Sequence, residues 1–173
     1  MNNLNALSSL DGRYADMTAP LNGHFSEFAF LRDRVRIELD FLSALSKSGL
    51  IRPLTAPESA QLESIKSNFS SADAQAVRNH EQVTRHDVKA IEYFLRDKLQ
   101  GTSLKDLLPW IHFGLTSEDI NNIAQAIALR DSRDAIFLPA LNRLINSLSE
   151  FAKKTRALPM LARTHGQIAV PTT

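Results

Sequence analysis

Two histidines stand in polar settings from which an imidazole could exchange a proton near neutral pH. The first, His165, lies in segment 163–167 (Arg-Thr-His-Gly-Gln), directly before Gly166. The surrounding stretch has the pattern of a helix, in which a glycine costs about 1 kcal/mol relative to alanine. Close approach of a ligand would justify that cost, and a helix break before Pro171 would justify it equally well.

The second histidine, His86, lies in segment 84–89 (Thr-Arg-His-Asp-Val-Lys). The pattern predicts that a helix begins here, so unpaired backbone N–H groups would lie beside the imidazole. Arg85 adds positive charge, and Asp87 could either orient the imidazole or cap the helix. The same residues would also suit a capped helix start with solvated charges and no chemistry.

A third segment, residues 112–119 (His-Phe-Gly-Leu-Thr-Ser-Glu-Asp), could bind a carboxylate. Thr116 and Ser117 precede two acids that suit the first turn of a helix, and two hydroxyls at a helix N-terminus can hold an anion. Gly114 would let the backbone approach a ligand closely. An ordinary N-cap uses the same residue types, and His112, on an apolar segment, is by default a hydrogen-bonded core histidine.

The fourth segment is residues 11–14 (Asp-Gly-Arg-Tyr) near the start of the chain. Gly12 permits a tight turn, and Arg13 offers a planar fork that suits phosphate or carboxylate. Tyr14 adds a hydroxyl and a flat ring. Taken alone, a surface arginine in a loop is the simpler interpretation.

Composition and missing motifs exclude several other classes of chemistry. The chain has no cysteine, which excludes disulfides, thiolate catalysis and cysteine-ligated metal sites. The histidines lack the spacing of a zinc site, so we expect none, and neither type of glycine-rich phosphate loop is present. The net charge of +1 is too small to attract nucleic acid or an acidic membrane by itself.

Amphipathic helices must position these segments, because apolar residues recur every three or four positions. We predict helix starts near Ser26, at a capping box formed by Thr55 and Glu58, near His86 and after Ser117. Residues 70–79 are predicted as a weak helical turn and a loop. No run alternates convincingly between apolar and polar residues. The fold class is therefore predicted as all-α, with a small N-terminal helical domain over residues 1–113 and a truncated second domain over residues 114–173.

The two ends of the chain lead to further expectations. The first residues show no basic region followed by an apolar run, so we expect no signal peptide and a cytoplasmic protein. No apolar stretch nears the ~18 residues that cross a bilayer. Residues 169–173 stop without a cap, and the last two helices carry more apolar surface than the chain can cover. We therefore expect a chain that is cut short.

Together, the four segments resemble the adenylosuccinate lyase family of the aspartase/fumarase superfamily. The family's order and approximate spacing are matched by residues 8–14 (SSLDGRY), 85–90 (RHDVKA), 112–122 (HFGLTSEDINN) and 163–167 (RTHGQ). The resemblance implies a helical subunit whose small N-terminal domain precedes a central helical bundle. It also implies elimination of fumarate from adenylosuccinate and from the succinyl-aminoimidazole-carboxamide ribotide of purine biosynthesis, without a cofactor.

The resemblance assigns proton transfer to the two histidines. It implies that His165 is the general acid that protonates the leaving nitrogen, while Thr164 holds the nearby carboxylate. His86 is implied to be a second essential histidine, which positions the substrate beside Arg85 and Asp87.

The remaining site residues are implied to bind the substrate. Thr116 and Ser117 would hold its succinyl part, and Arg13 and Tyr14 would bind the nucleotide toward its phosphate. His112 is a weaker candidate for a contact in the site.

The chain departs from the family in length, because family members are more than twice as long. Their catalytic base is a serine on a mobile loop in the second half, and their active sites combine residues from three subunits of a homotetramer. We therefore expect the 173-residue piece to be inactive alone. Two alternatives stay open: another fumarate-releasing lyase (argininosuccinate lyase, fumarase or aspartase), and an inactive helical fragment that binds a partner.

Overall fold

The computed structural model describes residues 4–173 and divides the chain into two units, one ending at Ser132 and one spanning Arg133–Thr173. The regular elements described in the first unit are helices, as the predicted all-α class requires. Short 3₁₀ helices occupy Ala19–Leu21 and Lys105–Trp110. The α-helices are α1 (Ala15–Thr18), α2 (Asn22–Phe25), α3 (Glu27–Lys47), α4 (Ala56–Ser67), α5 (Ser71–Thr84), α6 (Asp87–Leu99) and α7 (Ser117–Ser132).

Local capping groups fix where the helices of the first unit begin. The Ser26 hydroxyl accepts a hydrogen bond from the Ala29 N–H at 3.2 Å and starts α3. Thr55 and Glu58 form the predicted capping box at the start of α4, each side chain accepting from the other's backbone N–H. Gly49, with φ of 80°, lies just beyond the end of α3. The starts at Ser26 and at the Thr55–Glu58 box confirm the sequence predictions.

Helix α3 lies at the centre of the first unit and packs against α4, α5, α6 and α7. Its predicted apolar stripe is buried from Leu31 to Leu45, together with the apolar face of α6. On α7, Ile120, Ala124 and Ala128 are buried, whereas Ile123 is half exposed. The largest fully buried apolar side chains are Val35, Leu39, Leu42, Leu62, Val77, Val88, Ile91, Leu95, Leu99, Leu104 and Ile120.

Residues 71–79 are helical, so the predicted helical turn is a full helix and the predicted loop was wrong there. Helix α5 begins at Ser71 because Ser70 and Asp73 form a second capping box. The Asp73 carboxylate accepts from the Ser70 N–H at 2.9 Å, and the Asp73 N–H donates to the Ser70 hydroxyl at 3.3 Å. Val77 is the buried residue of this helix. The Ser-x-x-Asp spacing carried the signal, and the small polar composition of the segment obscured it.

The second unit consists of a π-helical turn (Arg133–Phe137), helix α8 (Leu138–Thr155) and a β-hairpin. Pro139 lies in the first turn of α8, where a missing N–H costs little. The predicted apolar stripe of α8 is exposed in this structure. Its members, between 38% and 65% exposed, are Leu141, Leu144, Ile145, Leu148 and Phe151.

The hairpin corrects the helical interpretation of residues 163–167. Strands β1 (Met160–Thr164) and β2 (Gln167–Thr172) pair antiparallel, with Thr164 opposite Gln167. The two residues between them, His165 and Gly166, have φ of 51° and 77°. A two-residue hairpin turn of this kind requires positive φ at both central positions, so the glycine serves a turn and not a helix.

Two predictions reach beyond what this structure tests. The expected domain boundary at Gly114 stays a prediction about the organisation of the longer protein. The expected absence of a signal peptide rests partly on residues 1–3, which lie outside the described residues. Within residues 4–173, no helix is both long and apolar enough to cross a membrane.

Candidate active site

His86 is the N-cap residue of α6, as its position in the sequence predicted. Helix α5 ends at Thr84, Arg85 takes a left-handed conformation with φ of 55°, and His86 is extended. The Nδ1 atom of His86 accepts a hydrogen bond from the Lys89 N–H at 3.2 Å. Because a capping Nδ1 carries no proton, the neutral imidazole has its proton on Nε2. The cap therefore fixes the tautomer of this histidine.

Ser117 meets His86 across 31 positions of sequence. The Ser117 Oγ lies 3.5 Å from the His86 Nε2, at the outer limit of a hydrogen bond. Ser117 begins α7 and His86 caps α6, so the N-termini of two helices approach each other here. The structure thus brings together two segments that the sequence proposed separately.

The hydroxyl of Thr116 is engaged within its own helix start. It donates to Asp119 Oδ2 at 2.8 Å, and the Thr116 backbone N–H donates to the same oxygen at 2.8 Å. These hydrogen bonds hold the pKa of Asp119 below its ordinary value. Thr116 therefore acts as an ordinary capping residue at the start of α7, while the Ser117 hydroxyl faces the His86 imidazole.

Asp87 is held from the opposite side by Arg34. The Arg34 Nη2 donates to Asp87 Oδ2 at 2.6 Å, and the Val88 N–H donates to Oδ1 at 2.9 Å. Burial acts to raise the pKa of Asp87, but the Val88 N–H and the positive charge of Arg34 outweigh it, so that pKa lies below its ordinary value. Asp87 is therefore an anion at neutral pH, directly after His86.

Arg34 and Asn121 help to position the site, although none of the sequence motifs indicated them. Arg34 lies on α3 and donates through Nε and Nη2 to the Asn121 Oδ1, at 3.0 and 2.7 Å. Its guanidinium also lies 4.0 Å from the centre of the Phe30 ring. One signal in the sequence could have indicated Arg34. It is a charged residue on a mostly apolar helix face, four positions after Phe30 and four before Glu38.

His112 is fastened to the core by Glu38. The Glu38 carboxylate lies 2.5 Å from the His112 Nδ1 and accepts from the His112 backbone N–H at 3.1 Å. Burial raises the pKa of Glu38, and the hydrogen bonds and charge of His112 oppose that rise. His112 is hydrogen-bonded, as the simpler interpretation expected, but its side chain is 18% exposed and so lies at the edge of the core. Its contact with a substrate stays a prediction.

An open cleft of about 690 Å³ borders the Arg34–Asp87 ion pair. Phe25 and Phe30 supply aromatic surface, and Gln125 supplies an amide. This volume lies in the range of small-molecule sites. Asp87 therefore lines a cavity that can hold part of a ligand and directly follows His86, whereas His86 and Ser117 do not line this cavity.

Arg13, Tyr14 and Arg85 are exposed, and Arg85 directly precedes His86 in the chain. The Tyr14 N–H donates to the Ser9 carbonyl at 2.9 Å, which closes the turn that presents Arg13. Across residues 4–173, no hydrogen bond joins these three side chains to His86 or Ser117. Their predicted contacts with the substrate are left untested.

The remaining predicted site residues belong to the second unit. Thr164 ends β1 and His165 occupies the hairpin turn, and both side chains are exposed. Gly166 has no heavy atom within 4 Å of the position that a Cβ would take. An imidazole at this tip is open to a ligand on the side of the glycine.

The chemistry available in the first unit is hydrogen-bond donation to an anion. His86 Nε2–H and the Ser117 hydroxyl can both donate, and both lie at helix N-termini, where the backbone adds positive potential. Within the described part of the chain, no three His, Asp or Glu side chains gather as metal ligands. The two donors, His86 Nε2–H and the Ser117 hydroxyl, suit a carboxylate ligand.

The family model and the most similar curated proteins agree on one family for this chain. A family model described as lyase matches residues 12–173. Over its whole length the chain is 42% identical to adenylosuccinate lyase of Haemophilus influenzae (177 aligned residues), and 40% identical to those of Dictyostelium discoideum (181 residues) and Escherichia coli K12 (177 residues). The chain spans 39% of the length of each of these curated relatives.

Proposed function

Because this chain belongs to the lyase family, we propose that the protein that carries it eliminates fumarate from adenylosuccinate, giving AMP. We further propose that the same site acts on the succinyl-aminoimidazole-carboxamide ribotide of purine biosynthesis and that the protein works in the cytoplasm. The proposal agrees with the motif resemblance, and the relatives at 40–42% identity bear this enzyme's name.

The reaction breaks a carbon–nitrogen bond in the succinyl group. A base removes a proton from the carbon next to a carboxylate, and an acid protonates the departing nitrogen. The electron pair of the broken C–H bond becomes the double bond of fumarate, and the nitrogen leaves as the amino group of AMP. Negative charge builds on the carboxylate during this step, so fixed donors must meet it.

The observation that carries the proposal is the 3.5 Å approach of His86 Nε2 to Ser117 Oγ. Two donors from two helix N-termini form a carboxylate-binding corner, and the negative charge of the neighbouring Asp87 is countered by its ion pair with Arg34. We assign Ser117, with Thr116 next to it, to the succinyl part of the substrate. His86, Arg85 and Asp87 then position the substrate for elimination.

His165 supplies the proton to the leaving nitrogen in this proposal. Its exposed position in the hairpin turn, next to Gly166, supports direct contact with a ligand. Thr164 holds the nearby carboxylate. Exposed Arg13 and Tyr14 bind the nucleotide toward its phosphate, since a guanidinium matches phosphate geometry. His112 is a further candidate contact.

The proposed reaction also needs a catalytic base and partner subunits that these 173 residues do not supply. By resemblance, the base is a serine of the longer protein, and the site is shared between subunits of a homotetramer. The exposed apolar stripe of α8 supports further helical packing in that assembly. The 173-residue chain alone is therefore expected to release no fumarate.

A substrate panel tests the proposal on the intact protein. Adenylosuccinate is followed by ultraviolet absorbance and by fumarate, with argininosuccinate, malate and aspartate as competitors. One fumarate per AMP, with adenylosuccinate strongly preferred, supports the proposal, and turnover of argininosuccinate instead overturns it. His86→Gln should remove activity, whereas the control His80→Gln, whose ring pairs with Asp97 at 2.9 Å, should keep it.

A further inference from the structure

Arg34 carries a charge that is almost completely buried within the first unit. Its side chain is 6% exposed, whereas its neighbours Arg32 and Arg36 on the same helix are 34% and 49% exposed. Burying an unpaired guanidinium is strongly unfavourable. A buried guanidinium must therefore be paired with acceptors and counter-charges. The residues that supply them show which parts of the structure Arg34 holds together.

Within residues 4–173, the side chains that contact the Arg34 guanidinium belong to α3 itself or to the two helices that start at the candidate site. Nη2 donates to Asp87, the first residue of α6, at 2.6 Å, and Nε and Nη2 both donate to the Asn121 side chain on α7. The Phe30 ring covers the guanidinium at 4.0 Å. This planar fork links two different helices, a geometry that an ammonium group cannot reproduce.

The link acts directly on the two candidate donors. Asp87 follows His86 in sequence, and Asn121 lies one helical turn after Ser117, on the same face of α7. Because α6 and α7 both pack on α3, the guanidinium fixes both helix starts against one support. The His86–Ser117 separation of 3.5 Å is already at the limit of a hydrogen bond, so a small drift would open it.

We infer that Arg34 is a positioning residue, which sets the spacing of His86 and Ser117 through Asp87 and Asn121. This inference rests on the proposed lyase function. Arg34 acts on the geometry of the donors and not on the affinity for the nucleotide. Misplacement of reacting groups by about 1 Å can lower turnover on the order of 100-fold.

The test compares Arg34→Lys with Arg36→Lys in the intact protein, with adenylosuccinate as substrate. Arg34→Lys keeps the charge and loses the fork, so kcat should fall roughly 10- to 100-fold while KM stays within about threefold. Arg36→Lys alters an exposed ion pair with Asp40 and should keep kcat within about twofold. Unchanged kcat in Arg34→Lys, or a raised KM with unchanged kcat, would overturn the inference.

A second variant keeps the inference testable if Arg34→Lys does not fold. Asn121→Ala removes the acceptor of two hydrogen bonds from Arg34 and should lower kcat in the same direction. The double variant should lose about as much as the worse single one, because both cut one link. If the fold-losses in kcat of the two single variants multiplied in the double variant, Arg34 and Asn121 would act independently, which would contradict the inference. Wild-type protein without lyase turnover would instead refute the proposed function.

Discussion

The carboxylate of Glu38 on α3 binds both the backbone N–H and the ring Nδ1 of His112, 74 residues further along the chain. His112 has φ of 62°, a left-handed conformation that is uncommon outside glycine. Glu38 is 1% exposed, so water cannot replace His112 as its partner. The pair fastens the loop that leads to Thr116 and Ser117 onto the core.

Replacing Glu38 should destabilise the first unit. Glu38→Ala leaves the His112 N–H and ring nitrogen without their partner, which should cost about 1–3 kcal/mol of unfolding free energy. The midpoint of urea unfolding of the intact protein measures this. Glu150→Ala, at a residue whose side chain is 72% exposed, serves as the control and should cost below about 0.5 kcal/mol. Equal effects of the two variants would contradict this account of the pair.

Gly114 should resist substitution for conformational reasons. Its φ is 70°, and no heavy atom lies within 4 Å of the position that a Cβ would take. Gly114→Ala should therefore cost roughly 1–2 kcal/mol through backbone strain alone. The thermal midpoint reports the loss. Gly101→Ala, at an equally open position without a positive φ, should cost little or nothing, and a matching loss there would reject the explanation.

The stability contributed by Glu58 should depend on pH. Hydrogen bonds from Arg52, then from Thr55, hold the pKa of Glu58 far below the ordinary 4.5. A carboxyl with a lowered pKa stabilises the folded state above its unfolded pKa, and this contribution is lost as the pH falls below that value. Glu58→Gln should cost about 1 kcal/mol at pH 7.

The pH series provides the decisive comparison for Glu58. The gap in urea midpoint between wild type and Glu58→Gln should narrow steadily as the pH is lowered from about 5 towards 3. A gap of constant size over that interval would show that the ionised carboxylate is not what Arg52 stabilises.

His165 should affect turnover and leave binding nearly unchanged. In the intact protein, His165→Gln should lower kcat by a factor on the order of 100 to 10,000, because it removes the general acid. KM should change by less than about threefold. Steady-state kinetics with adenylosuccinate measure both constants, and a normal kcat would show that another group protonates the leaving nitrogen.

Arg13 should show the opposite pattern. Arg13→Ala removes a proposed phosphate contact that is the same in the bound substrate and in the transition state, so KM should rise while kcat stays nearly constant. A fall in kcat at constant KM would place Arg13 in the chemical step.

The sequence predicted features that depend on neighbours within one helical turn. Ser26, the Thr55–Glu58 box and the His86 cap follow this rule, because the capping residue and its backbone partner lie three positions apart. The hairpin at residues 160–172 was missed for a related reason. The cost of Gly166 was assigned to a helix, whereas a two-residue turn removes that cost altogether.

Arg34 and Glu38 could not be found in the same way. Arg34 binds residues 53 and 87 positions away, and Glu38 binds one 74 positions away. Such pairings depend on how α6 and α7 pack on α3, which no local spacing reveals. The motifs identified His86 and Ser117 separately, and only the fold shows that they meet.

The most direct test is the structure of the intact His165→Gln variant with adenylosuccinate bound. The account predicts that a succinyl carboxylate lies within about 3.2 Å of both Ser117 Oγ and His86 Nε2, with Asp87 still held by Arg34. A nucleotide bound away from this corner in every subunit would contradict the account.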